Sequence, residues 1–255
     1  RLLHLRRELA ELLGYTDFAE YRLEDHMAKT GERAFGFVED MTRRTRPYWE
    51  RDLAELREHA SELGISGFEP WDSAFVGESL RRARFEIDDE VIRQYFPLDR
   101  VLAGMFEVVR RVFGLVVREQ RIPEVWHPDV HYYELRREDD GTLLGFFYAD
   151  WHPRSDKRQG AWMNDLRTRG PRNGGFEPHV GVIAGNLSPP KGDVPSLLTH
   201  TEVETIFHEF GHLLHHLTST VPIAPMAGIN VACDFVELPS QIMQNWTWEE
   251  EAISL

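Results

Sequence analysis

Residues 201–217 read TEVETIFHEFGHLLHHL, and this stretch indicates both a helix and a metal site. It contains the pattern H-E-x-x-H at His208, Glu209 and His212. On an α-helix, histidines four positions apart lie about 40° apart around the axis, so both imidazoles reach one point. Glu209 lies about 60° from His212, where it can touch a water at that point without binding the metal. This spacing is typical of zinc sites that hydrolyse peptide bonds.

The residues around the pattern favour an amphipathic helix with a defined start. Thr201 to Glu204 fits a capping box, so we predict that the helix begins at Thr201. Apolar residues then recur with helical period at Val203, Ile206, Phe207, Phe210, Leu213, Leu214 and Leu217. His208 and His212 lie at the flank of this face, where a ligand pair belongs. The alternative is a helix with two incidental histidines and a solvated glutamate.

Residues 234–241, DFVELPSQ, supply a third metal ligand. Asp234 and Glu237 share one face if the segment is helical, with Pro239 in its first turn. Glu237 can provide an oxygen, and three protein ligands leave the fourth position of a tetrahedral zinc site for water. Asp234 either accepts a hydrogen bond from a ligand imidazole, which fixes its tautomer, or caps this helix. The sequence leaves both roles open.

Together the two stretches resemble the thimet oligopeptidase family of zinc metallopeptidases, and within it the bacterial oligopeptidase A and dipeptidyl carboxypeptidase branch. Weaker similarity extends the resemblance over essentially the whole chain, through Trp71-Asp72, Tyr95-Phe96-Pro97, Gly104-Met105-Phe106, Trp126-His127 and residues 157–163. The resemblance implies one Zn²⁺ per chain, held by His208, His212 and Glu237, and short peptides as substrates. It also implies that the chain is the central piece of a longer enzyme.

The function implied is endopeptidase cleavage of short oligopeptides, with Glu209 as the catalytic base. Glu209 would accept a proton from a water activated by zinc and deliver it to the leaving amine. Two alternatives remain: a dipeptidyl carboxypeptidase of the same family, and a zinc- and peptide-binding fragment without activity. An intact Glu209 argues against the silent fragment, which has no chemical use for a base.

Upstream of the metal helix, alternating residues predict a small sheet. Strands over 130–137 and 142–150 flank Asp139-Asp140-Gly141, a favourable hairpin turn. A third strand is predicted over 179–186. In the resembling proteases an edge strand at this place pairs with the substrate backbone, which implies a substrate-binding role for His179, Val180, Gly181 and Val182. The alternative is an ordinary strand whose glycines serve packing.

The first hundred residues are predicted to be helical, with helices over 2–13, 31–63 and 73–86, and a further helix over 99–113. In the second of these, the residues expected to face inward are Phe35, Phe37, Val38, Met41, Tyr48, Leu53 and Leu56. We therefore predict an α+β protein that is mostly α-helical. Residues 1–120 would form a helical part of a channel wall. Residues 121–255 would form a zincin-like catalytic core, truncated at its C-terminal end, with a small sheet beside the H-E-x-x-H helix.

Composition narrows the partners and the location. The chain of 255 residues carries a net charge of −14, which argues against nucleic acid or an anionic membrane as a partner. The sequence contains no run of 18 apolar residues and no visible signal peptide. Its single cysteine, Cys233, excludes an internal disulfide and fits a reducing compartment. We therefore expect a cytoplasmic protein, and the oligomeric state stays open.

Overall fold

A computed structural model of the chain describes residues 1–86, 88–121, 124–172 and 175–255. Its packing divides the chain into two compact units, Arg1–Asp88 and Asp89–Leu255. The first unit is helical in its described residues, whereas the second combines helices with a mixed sheet. The mostly helical α+β class predicted from sequence is therefore confirmed. The functional division predicted near residue 120 stays a prediction.

The first unit contains α1 (Leu2–Leu12), α2 (Phe18–Leu23), α3 (Gly31–Glu62) and α4 (Ser73–Phe85). Side-chain caps start two of these helices: Asp17 accepts hydrogen bonds from the amides of Ala19 and Glu20, and Thr30 accepts one from the amide of Arg33. Left-handed glycines follow α1 and α3, at Gly14 and Gly64. The predicted helices over 2–13, 31–63 and 73–86 are confirmed.

The inward face predicted for α3 is wrong for most of its members. Phe35, Phe37 and Tyr48 are 65%, 68% and 62% exposed, and Val38 and Met41 are exposed as well. Only Leu53 and Leu56 of the predicted set are half-buried. Helical periodicity identifies an apolar stripe, but burial depends on which element packs against that stripe.

In the second unit the sheet places β7 in its interior. The strands are β1 (Leu115–Glu119), β2 (His131–Arg137), β3 (Leu143–Asp150), β4 (Trp162–Arg167), β5 (Gly170–Arg172), β6 (Gly175–Glu177) and β7 (His179–Ala184). The five-stranded sheet has the order β1-β2-β3-β7-β4, with β7 parallel to β3 and antiparallel to β4. β5 and β6 form a separate ribbon. The predicted hairpin is confirmed, with Gly141 in a left-handed conformation (φ +72°) in the turn between β2 and β3.

The helices of this unit are α5 (Asp89–Ile92), α6 (Leu98–Phe113), α7 (His200–Leu217), α8 (Cys233–Asn245) and α9 (Glu250–Ile253). Its core joins α6, α7 and the sheet through fully buried side chains such as Met105, Phe147 and Phe210. The Phe210 ring lies 5.7 Å from that of Phe147 and 5.8 Å from that of Phe106. This packing fixes α7 against the sheet. No helix in the described residues combines the length and the apolar character that crossing a bilayer requires.

The N-cap of α7 lies two residues before the predicted capping residue, Thr201. Its N-cap is Thr199, whose hydroxyl accepts a hydrogen bond from the Glu202 amide, and the Glu202 carboxylate in turn accepts one from the Thr199 amide. The capping box is therefore Thr199 and Glu202, and the box predicted at Thr201 and Glu204 is wrong. Both pairs fit the same spacing. Glu202 also accepts a hydrogen bond from the amide of Ser188 at 2.7 Å, which favours the earlier start.

Candidate metal centre

Two helices bring the predicted ligands to one point. His208 and His212 project from α7, and the Glu237 carboxylate faces them from α8. Glu237 Oε2 lies 3.1 Å from His208 Nε2 and 3.2 Å from His212 Nε2. The two imidazole rings stand edge to face, with their centres 4.9 Å apart. A single carboxylate oxygen therefore meets the same nitrogen atom of each histidine.

This arrangement fits a zinc ion in both donor chemistry and spacing. Zinc binds imidazole nitrogen and carboxylate oxygen at about 2.0–2.2 Å, so adjacent donors of a tetrahedral site lie about 3.3–3.5 Å apart. The distances of 3.1 and 3.2 Å between the donor atoms come close to that value. Among the described residues, these three form the one histidine, cysteine and carboxylate group whose ligand atoms all lie within 4.8 Å of one another.

The close crossing of α7 and α8 depends on Gly211. A Cβ atom at this position would lie 2.5 Å from Ser240 Cα and 2.7 Å from the Pro239 carbonyl oxygen. Pro239 lies inside α8, not in its first turn as predicted, because the helix already begins at Cys233. Ser240 is fully buried at this contact, and its hydroxyl donates to Glu237 Oε2 at 3.0 Å. Ser240 thus both packs against α7 and holds the carboxylate of the predicted ligand Glu237.

Glu209 is nearly buried, with 8% of its surface exposed. Burial raises the pKa of its carboxyl, and the negative charge of Glu237 acts in the same direction. The charge of His208 and a hydrogen bond with the Met163 backbone oppose that rise in pKa. A carboxyl whose pKa is raised in this way accepts a proton more readily than an ordinary glutamate.

The electrostatics of His212 favour the form that binds metal. Burial lowers the pKa of this imidazole, although the Glu237 carboxylate partly offsets that effect. A neutral imidazole keeps a lone pair for a metal ion, whereas the protonated ring has none. The site is therefore prepared for a cation at neutral pH.

Sequence reasoning missed Gln244 as a partner of the site. Its Oε1 lies 3.3 Å from His208 Nδ1, the ring nitrogen that points away from Glu237. Gln244 stands seven positions after Glu237 on α8, which is about two helical turns and therefore the same face. That spacing was the available signal.

Asp234 is exposed in the first turn of α8, where a negative charge suits the helix dipole. The N-cap of this helix is Ala232 and no side-chain cap is present, so the capping role predicted for Asp234 is wrong. Its other predicted role, as acceptor for a ligand imidazole, stays a prediction. For His208, the acceptor described is Gln244.

The substrate-pairing strand predicted at His179 to Val182 is wrong. β7 lies between β3 and β4, so both of its hydrogen-bonding edges are occupied. His179 is fully buried: its Nδ1 accepts a hydrogen bond from the Arg169 amide at 3.1 Å, and its Nε2 lies 2.9 Å from the Ser219 carbonyl oxygen. At Gly181 a Cβ atom would lie 2.5 Å from Leu213 Cδ1. The glycine therefore serves packing against α7, as the alternative held.

Within the described residues, the strand that ends the sheet beside the site is β4. β4 pairs with β7 on one side and with no described strand on the other. β4 packs against α7, the helix that carries Glu209, and the backbone of its second residue, Met163, acts to lower the pKa of that carboxyl. The available sheet edge next to the predicted base is therefore β4. No strand was predicted here from the sequence.

The segment that leads into β4 is anchored by Asp150, the last residue of β3. Its buried carboxylate accepts hydrogen bonds from Arg154 at 2.7 and 2.8 Å, from Lys157 at 2.9 Å and from the Trp126 indole at 2.9 Å. Burial opposes ionisation, but these donors hold the pKa of Asp150 well below its usual range. The carboxylate is thus charged and paired, and it ties the start of this segment to the sheet.

Comparison with known proteins adds a family to this geometry. The sequence profile described as Peptidase family M3 matches residues 1–255. Oligopeptidase A of Escherichia coli (strain K12) is 41% identical over 256 residues, which cover 99% of this chain and 38% of that protein. Dipeptidyl carboxypeptidase of the same organism is 35% identical over 96% of this chain and 36% of its own length. Thimet-like oligopeptidase of Dictyostelium discoideum is 30% identical over 98% of this chain and 39% of its own length. The chain thus spans less than two fifths of each of these relatives.

Proposed function

The chain belongs to peptidase family M3, and on that basis we propose that it acts as a zinc-dependent endopeptidase that cleaves short oligopeptides. The observation that carries this proposal is the convergence of His208, His212 and Glu237 beside the buried Glu209. Family membership supports the reaction type. The names of the relatives support short peptides as the substrate class.

The side chains divide the chemistry between metal binding and proton transfer. A zinc ion held by His208, His212 and Glu237 would lower the pKa of a water molecule and polarise the scissile carbonyl group. Glu209 accepts the proton that the attacking water loses and donates it to the leaving amine. Because burial raises the pKa of this carboxyl, accepting the proton costs less than it would for an ordinary glutamate.

The edge of β4 is the proposed binding place for the peptide backbone. An extended peptide can add to a sheet edge as a further strand through main-chain hydrogen bonds. Because β4 packs against α7, the helix that carries Glu209, a peptide paired along β4 would place its scissile bond near the base. This replaces the role predicted for β7, whose edges are both paired.

A dipeptidyl carboxypeptidase is the second candidate, favoured by the similarity to the Escherichia coli enzyme of that name. The two activities differ in the substrate terminus that they require. An endopeptidase cleaves a peptide that is blocked at both ends, whereas a dipeptidyl carboxypeptidase needs a free C-terminal carboxylate. The products of one blocked and one free peptide of the same sequence separate the two.

The proposal is tested with a fluorogenic peptide blocked at both ends, incubated with the zinc-loaded chain. We expect cleavage that stops when zinc is chelated. Replacing the base, Glu209→Gln, should lower kcat by about 10²- to 10⁴-fold because no side chain then transfers the proton. Zinc binding should persist in this variant, because Glu209 is not a ligand.

The matched control is Glu251→Gln, which makes the same chemical change at an exposed residue of α9 and should leave cleavage unchanged. If Glu209→Gln cleaved as fast as the unmodified chain, Glu209 would not be the base. Zinc binding without cleavage of either the blocked or the free peptide would instead favour a binding module.

A further inference from the structure

A chain of hydrogen-bonded polar side chains extends from His208, on the side of its ring that faces away from Glu237. Gln244 Oε1 lies 3.3 Å from His208 Nδ1, and Gln244 Nε2 donates to Glu204 Oε1 at 3.3 Å. The Trp248 indole N–H donates to the same Glu204 oxygen at 2.9 Å. Glu204 and His208 are four positions apart on α7, so they lie on one side of that helix. We call Glu204 and Gln244 the support pair.

The support pair determines the orientation of the Gln244 amide and the position of the proton on the His208 ring. A carboxylate can only accept hydrogen bonds, so Glu204 must face the NH₂ end of the Gln244 amide. The amide oxygen is then turned toward His208. Because an amide oxygen also only accepts, His208 Nδ1 must carry the proton. The lone pair is thereby left on Nε2, the atom that lies 3.1 Å from Glu237.

Glu204 is itself held from two directions. Besides the bond from Trp248, its Oε2 lies 3.8 Å from His200 Nδ1. The other nitrogen of His200 lies 3.0 Å from the Thr247 carbonyl oxygen, and the His200 ring packs edge-on against Trp248 at 4.4 Å. The half-buried Glu204 is therefore fixed by residues at the first turn of α7 and just beyond α8.

We propose that Gln244 is a positioning residue, which fixes the tautomer and the ring orientation of His208 for metal binding, and that Glu204 sets the direction of the Gln244 amide. This inference rests on the zinc site of the proposed function. It assigns a role to two residues that lie outside the group of three metal ligands.

The first test measures zinc affinity by competition with a chromophoric chelator, on the complete 255-residue chain. Removing the acceptor, Gln244→Leu, should weaken zinc binding by about 10- to 100-fold, the usual cost of losing such a partner. Gln241→Leu makes the same change at an exposed residue of the same helix and should leave the affinity unchanged. Equal affinity of the two variants would overturn the proposal without affecting the zinc site.

The second test removes the acceptor that holds the Gln244 amide. Glu204→Leu leaves the Gln244 NH₂ group without its acceptor, so the amide can turn and zinc binding should weaken. Glu204→Gln keeps an oxygen that can accept from both Gln244 and Trp248, so this variant should retain most of the affinity. Equal affinity of Glu204→Leu and the unmodified chain would overturn the role of Glu204.

A spectroscopic signal separates positioning from general stability. In the zinc-loaded chain, NMR of ¹⁵N-labelled histidine should show a slowly exchanging Nδ1 proton on His208. This proton should exchange rapidly in Gln244→Leu and remain slow in Gln241→Leu. If Gln244→Leu did not fold, the comparison of Glu204→Leu with Glu204→Gln would still test the proposal. Absence of zinc binding by the unmodified chain would overturn the proposed function together with this inference.

Discussion

The two variable positions of the H-E-x-x-H pattern, Phe210 and Gly211, face different neighbours. Phe210 is fully buried in the core, between the rings of Phe106 and Phe147. Gly211 lies against the backbone of α8, next to Ser240. One residue thus fixes α7 on the sheet, while the other allows α8 to bring Glu237 to the histidines.

Replacing this glycine, Gly211→Ala, should both destabilise the chain and weaken its zinc site. The new Cβ would stand 2.5 Å from Ser240 Cα, so the two helices must separate. We expect the free energy of unfolding to fall by about 1–3 kcal/mol, as for other overpacked sites. Zinc affinity should fall as well, because Glu237 moves with α8. Urea unfolding and chelator competition measure the two effects.

The matched control is Gly104→Ala in α6, where a Cβ atom would meet its nearest neighbour, Leu255 Cβ, at an ordinary 3.7 Å. Alanine is the better helix former by about 1 kcal/mol, so this change should be neutral or stabilising. If Gly211→Ala behaved like Gly104→Ala, the close crossing of α7 and α8 would not be what positions Glu237.

At the residue scale, spacing along a single helix is the part of the site that the sequence predicts. His208, Glu209 and His212 were placed correctly relative to one another because helical geometry is nearly invariant. The sequence did not reveal the partner of His208 Nδ1, since the Gln244 contact joins two helices across 36 positions. No local rule determines which residues of separate helices meet.

At the element scale, the strand of residues 179–184 was predicted, but its neighbours were not. An apolar, glycine-containing run indicates a strand in the same way whether the strand is interior or at an edge. Its place depends on β4, a strand from a different part of the sequence whose residues, WMNDLR, do not alternate clearly. The substrate role was therefore assigned to β7, whereas the open edge belongs to its neighbour β4.

This sheet order predicts where a peptide protects the backbone. A non-hydrolysable peptide bound to the zinc-loaded chain should slow amide hydrogen exchange in Trp162–Arg167, because it pairs with the open edge of β4. Exchange in His179–Ala184 should be slow already and should not change. Mass spectrometry of the exchanged peptides measures both. Added protection of β7 without protection of β4 would contradict the proposed binding edge.

β7 and the end of α7 are also joined by two buried histidines. The rings of His179 and His216 pack edge to face at 4.6 Å, and His216 Nε2 lies 3.1 Å from the Arg167 carbonyl oxygen. Burial lowers the pKa of both imidazoles. His179 is fully used as a neutral ring, because its Nδ1 accepts the hydrogen bond of the Arg169 amide and cannot also carry a proton.

Stability should therefore decrease with acidity in a defined range. Above a pH of about 6.5, these histidines are neutral in both the folded and the unfolded chain. As the pH falls below that value, the unfolded chain takes up protons that the folded chain excludes, so the free energy of unfolding decreases. We expect the urea concentration at the unfolding midpoint of the metal-free chain to decrease as the pH is lowered from about 7 to about 5.

Replacing one of these two histidines should make the urea midpoint depend less steeply on pH. His179→Gln keeps a donor and an acceptor but does not titrate, so its urea midpoint should depend less on pH than that of the unmodified chain. His4→Gln, at an exposed position of α1, should leave the pH dependence unchanged. An identical slope in His179→Gln would show that this histidine is not a source of the acid sensitivity.

At the scale of the whole molecule, all three ligands lie in the second unit, Asp89–Leu255. In the first unit α1, α3 and α4 were predicted, with left-handed glycines marking the ends of α1 and α3 locally, whereas the short α2 was not predicted. The exposed face of α3 was not predicted, since exposure is a property of the packed unit and not of the stripe. The division into two units also determines which part of the molecule a metal ion can stabilise.

Zinc should therefore stabilise one unit only. An ion that binds the folded form alone, at a free concentration 100 times its dissociation constant, adds about 2.7 kcal/mol to the free energy of unfolding. For a unit of this size we expect the midpoint of thermal unfolding to rise by roughly 5–10 °C. Hydrogen exchange should slow in α7 and α8, which the ion joins, and stay unchanged in α3. Calorimetry and exchange with zinc or with chelator measure both effects.

The ligand variant Glu237→Ala supplies the control, because it removes the only ligand that α8 contributes. In this variant zinc should no longer raise the midpoint, and α8 should lose its added protection. A rise of equal size in Glu237→Ala would mean that zinc binds elsewhere, and protection of α3 would mean that its effect is not confined to Asp89–Leu255. Because the histidines share one helix while Glu237 stands on another, only binding by all three ties the two helices together. The loss of α8 protection is therefore the outcome that tests the assembled site.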